Sequence, residues 1–285
     1  MRSGANWRVW RMGRLLIDRP SFRARPDPSP IDRGLLSSAV TTGRRPGLST
    51  KIRGQQRGPD GGLRAAALPR RVVIRLLVVL AAAAGCVDIM AMSRLGGPFA
   101  SVVTGNVVQL GRSLAVPNRH LAVSASSAVG SYAAGVAIGT VALRASLPGW
   151  RLRTCVVASF ELLLLVGVLV GWLITDASPG TSQGIALLAL AATAMGVQSA
   201  VTLGSGVHDA STTYMTGMLT NFMRAVATDP HLIGTGGTGV VRLLSLLAGA
   251  VIGALILHFA ASWTPVFPVA LIAGTVVLAA ALIRR

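Results

Sequence analysis

Asp88 is a carboxylate set four residues from the end of an apolar run, Val72–Met92. An ionisable group inside a lipid-spanning segment is expensive and is by default a functional site. Just downstream lies Phe99–Ala115, which carries Thr104-Gly105-Asn106 and Gln109 and is too short and too polar for an ordinary span. This element returns. At an offset of 112, Val103-Thr104-Gly105 meets Met215-Thr216-Gly217, Arg112 meets Arg224, Ala115 meets Ala227, and the amide of Gln109 meets that of Asn221. A Thr-Gly pair suits a broken helix, because glycine relieves the backbone and the hydroxyl satisfies a freed polar group. Half-helices of this kind aim N–H groups at an anion or carbonyls at a cation. With Gln198 in a later apolar run, the candidate solute-binding residues are Asp88, Thr104, Gly105, Asn106, Gln109, Gln198, Thr216, Gly217 and Asn221. In the binding reading, the two Thr-Gly elements face each other near the midplane.

Each of these residues also has a plainer reading. Asp88 can cap a helix end or pair with Arg94, the Thr-Gly pairs can be packing joints, and Gln198 can bond a neighbouring helix. Glu161 lies in the very apolar run Val156–Val170. It reads equally as a neutral acid packed against Ser or Thr and as a proton-coupling group. Arg112 and Arg224 suit interfacial anchors or partners for Asp88 and Asp209. Cys86 and Cys155 read as buried small hydrophobes, since two cysteines in apolar runs make no disulfide framework.

The elements that must position these residues are membrane helices. Apolar residues make up 52% of the 285-residue chain and charged ones 13%, far below the roughly 25% usual in soluble domains. The expected spans are Val72–Met92, Leu121–Leu143, Thr154–Thr175, Gly184–Leu203, Gly239–Ala261 and Pro265–Ile283, with short elements at Phe99–Ala115 and Thr212–Ala227. Small-residue motifs recur as well. Gly135 and Gly139 match Gly249 and Gly253, and Gly85 matches Gly196; such pairs let helix backbones approach closely. The expected fold is therefore all-α: a polytopic bundle of six spans plus two re-entrant or broken helices, in two homologous halves, 71–176 and 184–285, joined by 177–183. With three spans per half the second half would be inverted. Six crossings with a cytoplasmic N-terminus place eight Arg inside (75, 144, 151, 153, 224, 242, 284 and 285) and three outside (94, 112 and 119); if the short elements cross instead, the halves are parallel and the split is seven to four.

The net charge of +18 invites a nucleic-acid reading, but 16 basic and four acidic residues concentrate +12 of it in residues 1–71. Residues 1–70, rich in Arg, Pro, Gly and Ser, are expected to be either a disordered basic extension beside anionic lipid or sequence upstream of the true start. Gly234 to Gly239 fits the Gly-x-Gly-x-x-Gly dinucleotide pattern but lacks the preceding strand and is expected to be a flexible hinge. The four histidines lack metal-ligand spacing, and no nucleophile elbow, phosphate loop or paired carboxylates occur. No enzyme, cofactor, metal or nucleic-acid partner is expected. The expected partners are the bilayer and a small solute, with a homo-oligomer left open.

Gly85-x-x-Asp88, Thr104-Gly105-Asn106, Met195-Gly196-Val197-Gln198-Ser199-Ala200 and Thr216-Gly217, in that order, resemble the YoaK family of bacterial membrane proteins. The resemblance spans about residues 72–285. It implies a roughly six-helix protein of the bacterial inner membrane and brings no substrate. Members of that family tend to carry Asn after the Gln, where this chain has Ser199. The expected function is a secondary transporter or permease with its site between the halves; the alternative is a non-transporting scaffold or partner subunit.

Overall fold

Lipid offers no hydrogen bonds, so an apolar run long enough to cross it satisfies its own backbone by coiling into a helix. The computed structural model describes residues 67–207, 215–228 and 233–285. Among these residues there are eight α-helices: α1 Arg70–Arg94, α2 Val103–Ala115, α3 Arg119–Leu143, α4 Leu152–Ile174, α5 Thr181–Gly204, α6 Met215–Thr228, α7 Ile233–Phe259 and α8 Val266–Arg284. No strand occurs among the described residues. Six helices are long and apolar enough to cross a membrane; α2 and α6 are not among them. The expected boundaries fall within a few residues of these, apart from the start of α7. The expectations for residues 1–66, Asp209, Thr212 and His231 lie outside the described residues.

The directions of the helices follow from their contact register. Ser245 donates to the Val78 carbonyl at 2.7 Å. A side chain on Gly249 would strike the backbone of Ala82, and one on Gly253 would strike Cys86 and Ile89. The partners rise together, so α1 and α7 run the same way. Helices α3 and α5 do likewise. Gly135 abuts Thr193 and Gly196, Gly139 abuts Ala200, and Gly204 abuts Leu143. Against these, α1 and α5 are antiparallel: Gly184 lies by Leu95, while Gln198 reaches back to Leu80. Gly167 meets Leu190 and Gly171 meets Leu187, so α4 is antiparallel to α5 as well. Trp172 on α4 donates to the Ala261 carbonyl at 3.0 Å and sets the start of α8 beside the end of α4.

The six long helices thus alternate in direction, and α2 and α6 do not count as crossings. The near end of the bundle is where α1 begins, and the far end is where it finishes. Arg70 and Arg284 both lie at the near end. Helices α1 and α5 are the most enclosed, lined by alanine and glycine from Ala81 to Gly85 and from Ala191 to Gly196. Small side chains suit this centre, because helix association in lipid depends on close van der Waals contact rather than on excluding water.

The glycines 234–239, expected as a hinge, belong instead to the continuous helix α7. Glycine lowers helix propensity by about 1 kcal/mol per residue.

Candidate functional site

After Arg94 the chain does not leave the bundle. Gly96 and Gly97 adopt left-handed backbone angles, φ +110° and +99°, which turn it back along α1. The descending segment 97–101 then pairs with the first turns of α2. Asn106 locks this pairing: its Oδ1 accepts from the Phe99 N–H at 2.8 Å, and its Nδ2 donates to the Phe99 carbonyl at 2.7 Å. Gln109 donates to the Gly97 carbonyl at 3.4 Å, a longer and weaker contact. Gly105 lies under the Phe99 ring, where an added Cβ would come within 3.2 Å. The result is a hairpin with a non-helical first limb and α2 as its second.

Asp88 holds the bottom of this hairpin. It is 6% exposed. Its Oδ1 accepts from the Ser101 N–H at 2.7 Å, and its Oδ2 accepts from the Ser101 hydroxyl at 2.5 Å. The expected pairing of Asp88 with Arg94 or Arg112 is not formed. The carboxylate oxygens are taken by Ser101, and both arginines are exposed. Charge-assisted bonds to backbone N–H groups are about twice as strong as neutral ones, so Asp88 fixes how deep the turn sits.

Gln198, 1% exposed, belongs to a different place. Its Nε2 donates to the Leu80 carbonyl at 2.9 Å, tying α5 to α1. Leu80 lies two turns before Asp88, about 12 Å along α1. Next to it, Ser199 shares a 2.6 Å hydrogen bond with Tyr132 and ties α5 to α3.

The structure therefore unites Asp88, Asn106, Gln109 and Gly105, and separates them from the other candidates. Thr104 is exposed on the outer face of α2, and Thr216 and Asn221 are exposed on α6, with Gly217 half-buried. The two Thr-Gly elements do not face each other near the midplane. Met218 of α6 packs on Gly239 of α7. By the register of Gly249 with Ala82, Gly239 is level with Val72, about 24 Å along the axis from Asp88. The short helices lie at opposite ends because each follows a span of opposite direction.

Among the described residues, cavities occur at both ends of the bundle. One, of about 200 Å³ at the far end, is lined by Arg94, Leu95, Gly96, His120 and residues 179–181 and 184. The other, of about 160 Å³ at the near end, is lined by residues 146–148, Leu143, Thr154, Leu203 and Gly204. None of the nine candidates lines either.

The sequence profile described as "Protein of unknown function (DUF1275)" matches residues 76–278. The chain belongs to the DUF1275 family. The match runs from within α1 into α8, and residues 1–75 lie outside it. No curated protein and no solved structure matched this chain. Within this DUF1275 bundle, sequence reasoning missed Ser101, Phe99 and Trp172 as partners. A serine three residues before a Thr-Gly pair gives no signal of its own. Only the fold of the hairpin brings Ser101 to Asp88.

Proposed function

We propose that the protein is a secondary transporter or permease for a small solute, built from two inverted halves, α1–α4 and α5–α8. One observation carries the reading. Exchanging α1–α4 for α5–α8 converts the α1/α7 packing into α5/α3, α1/α8 into α5/α4, and α2/α3 into α6/α7. The glycines follow the same exchange, with Gly85 against α7 and Gly196 against α3. Equivalent helices α1 and α5 run in opposite directions. An assembly of this kind has two related arrangements, each the mirror in function of the other, which is the basis of alternating access.

In this reading the α2 hairpin closes the far end, and α6 with its flanking residues closes the near end. Asp88, Asn106 and Gln109 position the far-end element, and Gln198 holds the α1/α5 crossing about which the halves would rock. Thr104, Gly105, Thr216, Gly217 and Asn221 belong to the two moving elements. The near end, with both described termini and the Arg-rich 144–153 loop, faces the cytoplasm by the positive-inside rule. The bacterial inner membrane is the proposed location.

A second reading, a scaffold or partner subunit, draws on one observation: Asp88, Asn106 and Gln198 each spend hydrogen bonds on the chain's own backbone. A vesicle uptake screen across small-solute classes separates the two. Asp88→Asn and Asn106→Ala variants that fold yet keep full uptake would count against the transport mechanism. Orientation is read independently by cysteine accessibility. Pro148→Cys should label only from the cytoplasmic side and Val116→Cys only from the other.

A further inference from the structure

Glu161 is the only glutamate in the sequence. It lies in α4, nine residues from the start and 13 from the end of Leu152–Ile174, about 14 Å and about 20 Å from the two ends. With a hydrocarbon core of about 30 Å, this is the middle of the membrane. The residue is 0% exposed, and neither side-chain oxygen has a hydrogen-bond partner among the described residues. Its situation differs from that of Asp88, whose oxygens are both taken.

The surroundings explain the isolation. Helix α4 packs against α5, α8 and α3. Thr181–Gly204 of α5 contains no charged or titratable side chain. In α8 the only one is Arg284, in the last turn. In α3 they are Arg119 and His120 at the far end and Tyr132, whose hydroxyl is bonded to Ser199. On α4 itself Arg153 is exposed two turns away, and Cys155 is buried. On α4, α5 and α8, hydroxyls donate to carbonyls of their own helices: Ser159 to Cys155, Thr193 to Ala189, Thr275 to Leu271. Glu161 makes no hydrogen bond to a Ser or Thr among the described residues.

A buried carboxyl without a partner contributes nothing to holding helices together. Burying a polar group unbonded costs free energy, and an isolated charge costs far more. A leucine or methionine would pack there at lower cost, so the acid is not explained by the architecture. We propose that Glu161 is a membrane-embedded proton-binding site: its carboxylate takes a proton from water to become the neutral acid in the closed arrangement, and returns that proton to water when α4 parts from α5 and α8. The ligand is a proton rather than a metal ion because one carboxylate suffices to hold a proton. Hard cations need several converging oxygens, and no group of three His, Cys, Asp or Glu able to hold a metal occurs among the described residues. At the α4/α5 seam, Gly167 and Gly171 meet leucine side chains of α5, and no hydrogen bond is made by Glu161 across it.

The site's use in coupling rests on the transport reading, but its protonation does not. A single glutamate permits a test without mutation. Full-length protein carrying carbon-13 at the glutamate side-chain carboxyl is reconstituted in bilayers and titrated by infrared spectroscopy or NMR. The expected result is one labelled carboxyl, in the acid form at neutral pH, converting reversibly to carboxylate as the pH rises while helicity is kept. A label that is carboxylate at neutral pH overturns the proposal. So does one that stays acid until the protein unfolds, since a proton that never leaves cannot be carried. Glu161→Gln and Glu161→Met are expected to melt at or above the wild-type temperature; a clear fall in both would mark a structural role and also overturn it. A titrating label with no uptake of any solute would instead sink the transport reading alone.

Discussion

Gly249→Ala tests the tight seam between α1 and α7. A Cβ at this position would lie 2.6 Å from the Ala82 carbonyl carbon and 2.7 Å from its Cα, and would land on the carbonyl oxygen. Ordinary carbon–carbon contacts are about 3.5–4.0 Å, so α7 must retreat by about 1 Å. A gap of that size forfeits a quarter to a half of the dispersion energy along the seam. It also stretches the bond from Ser245 to Val78, 2.7 Å at present, toward its limit. Overpacking typically costs about 1–3 kcal/mol, and an interhelical hydrogen bond in a membrane protein about 0.6 kcal/mol. Against this, alanine gains about 1 kcal/mol of helix propensity over glycine. The net expectation is a loss of about 1–3 kcal/mol. Gly274→Ala supplies the control, because no atom lies within 4 Å of its added Cβ and only the propensity gain remains. Reversible unfolding in mixed micelles of rising dodecyl sulfate content measures both. Gly135→Ala, which would strike Thr193 and Gly196 across the α3/α5 seam, should cost about as much as Gly249→Ala. Equal midpoints for Gly249→Ala and Gly274→Ala would refute the reasoning.

Asn106→Ala removes both bonds to the Phe99 backbone and should cost about 2–3 kcal/mol; hydrogen exchange at Phe99 should accelerate, and an unchanged rate would show that the hairpin does not depend on this amide. Asp88→Asn keeps one acceptor but loses the charge-assisted pair with Ser101. Exchange at Ser101 should quicken while the α1/α7 seam is unaffected. Gln198→Leu loses one interhelical bond whose carbonyl acceptor is already within a helix, so the expected cost is under about 1.7 kcal/mol. Cys86 and Cys155 are both free and buried. Neither should react with a maleimide until the bundle is unfolded, and early labelling of either would contradict the packing described.

The sequence alone determined the spans, the two short elements and the packing glycines. Each is written locally: apolar length sets a span, polarity within a short apolar stretch marks an interruption, and paired small residues announce close contact. Cys86 and Cys155 were legible as buried hydrophobes for the same reason. The tertiary structure decided which residues share a place. The offset of 112 aligned Thr104 with Thr216 but could not say that α2 and α6 sit at opposite ends, because that follows from the number of crossings between them. It could not say that Asp88 turns to Ser101 rather than to Arg94, since the choice depends on two glycines reversing the chain along α1. It left Glu161 open between packing and chemistry. Only the positions of α5, α8 and α3 leave that carboxyl without a partner. Local composition fixes what each helix is; which polar groups meet is fixed by direction and register, and those are properties of the assembled bundle.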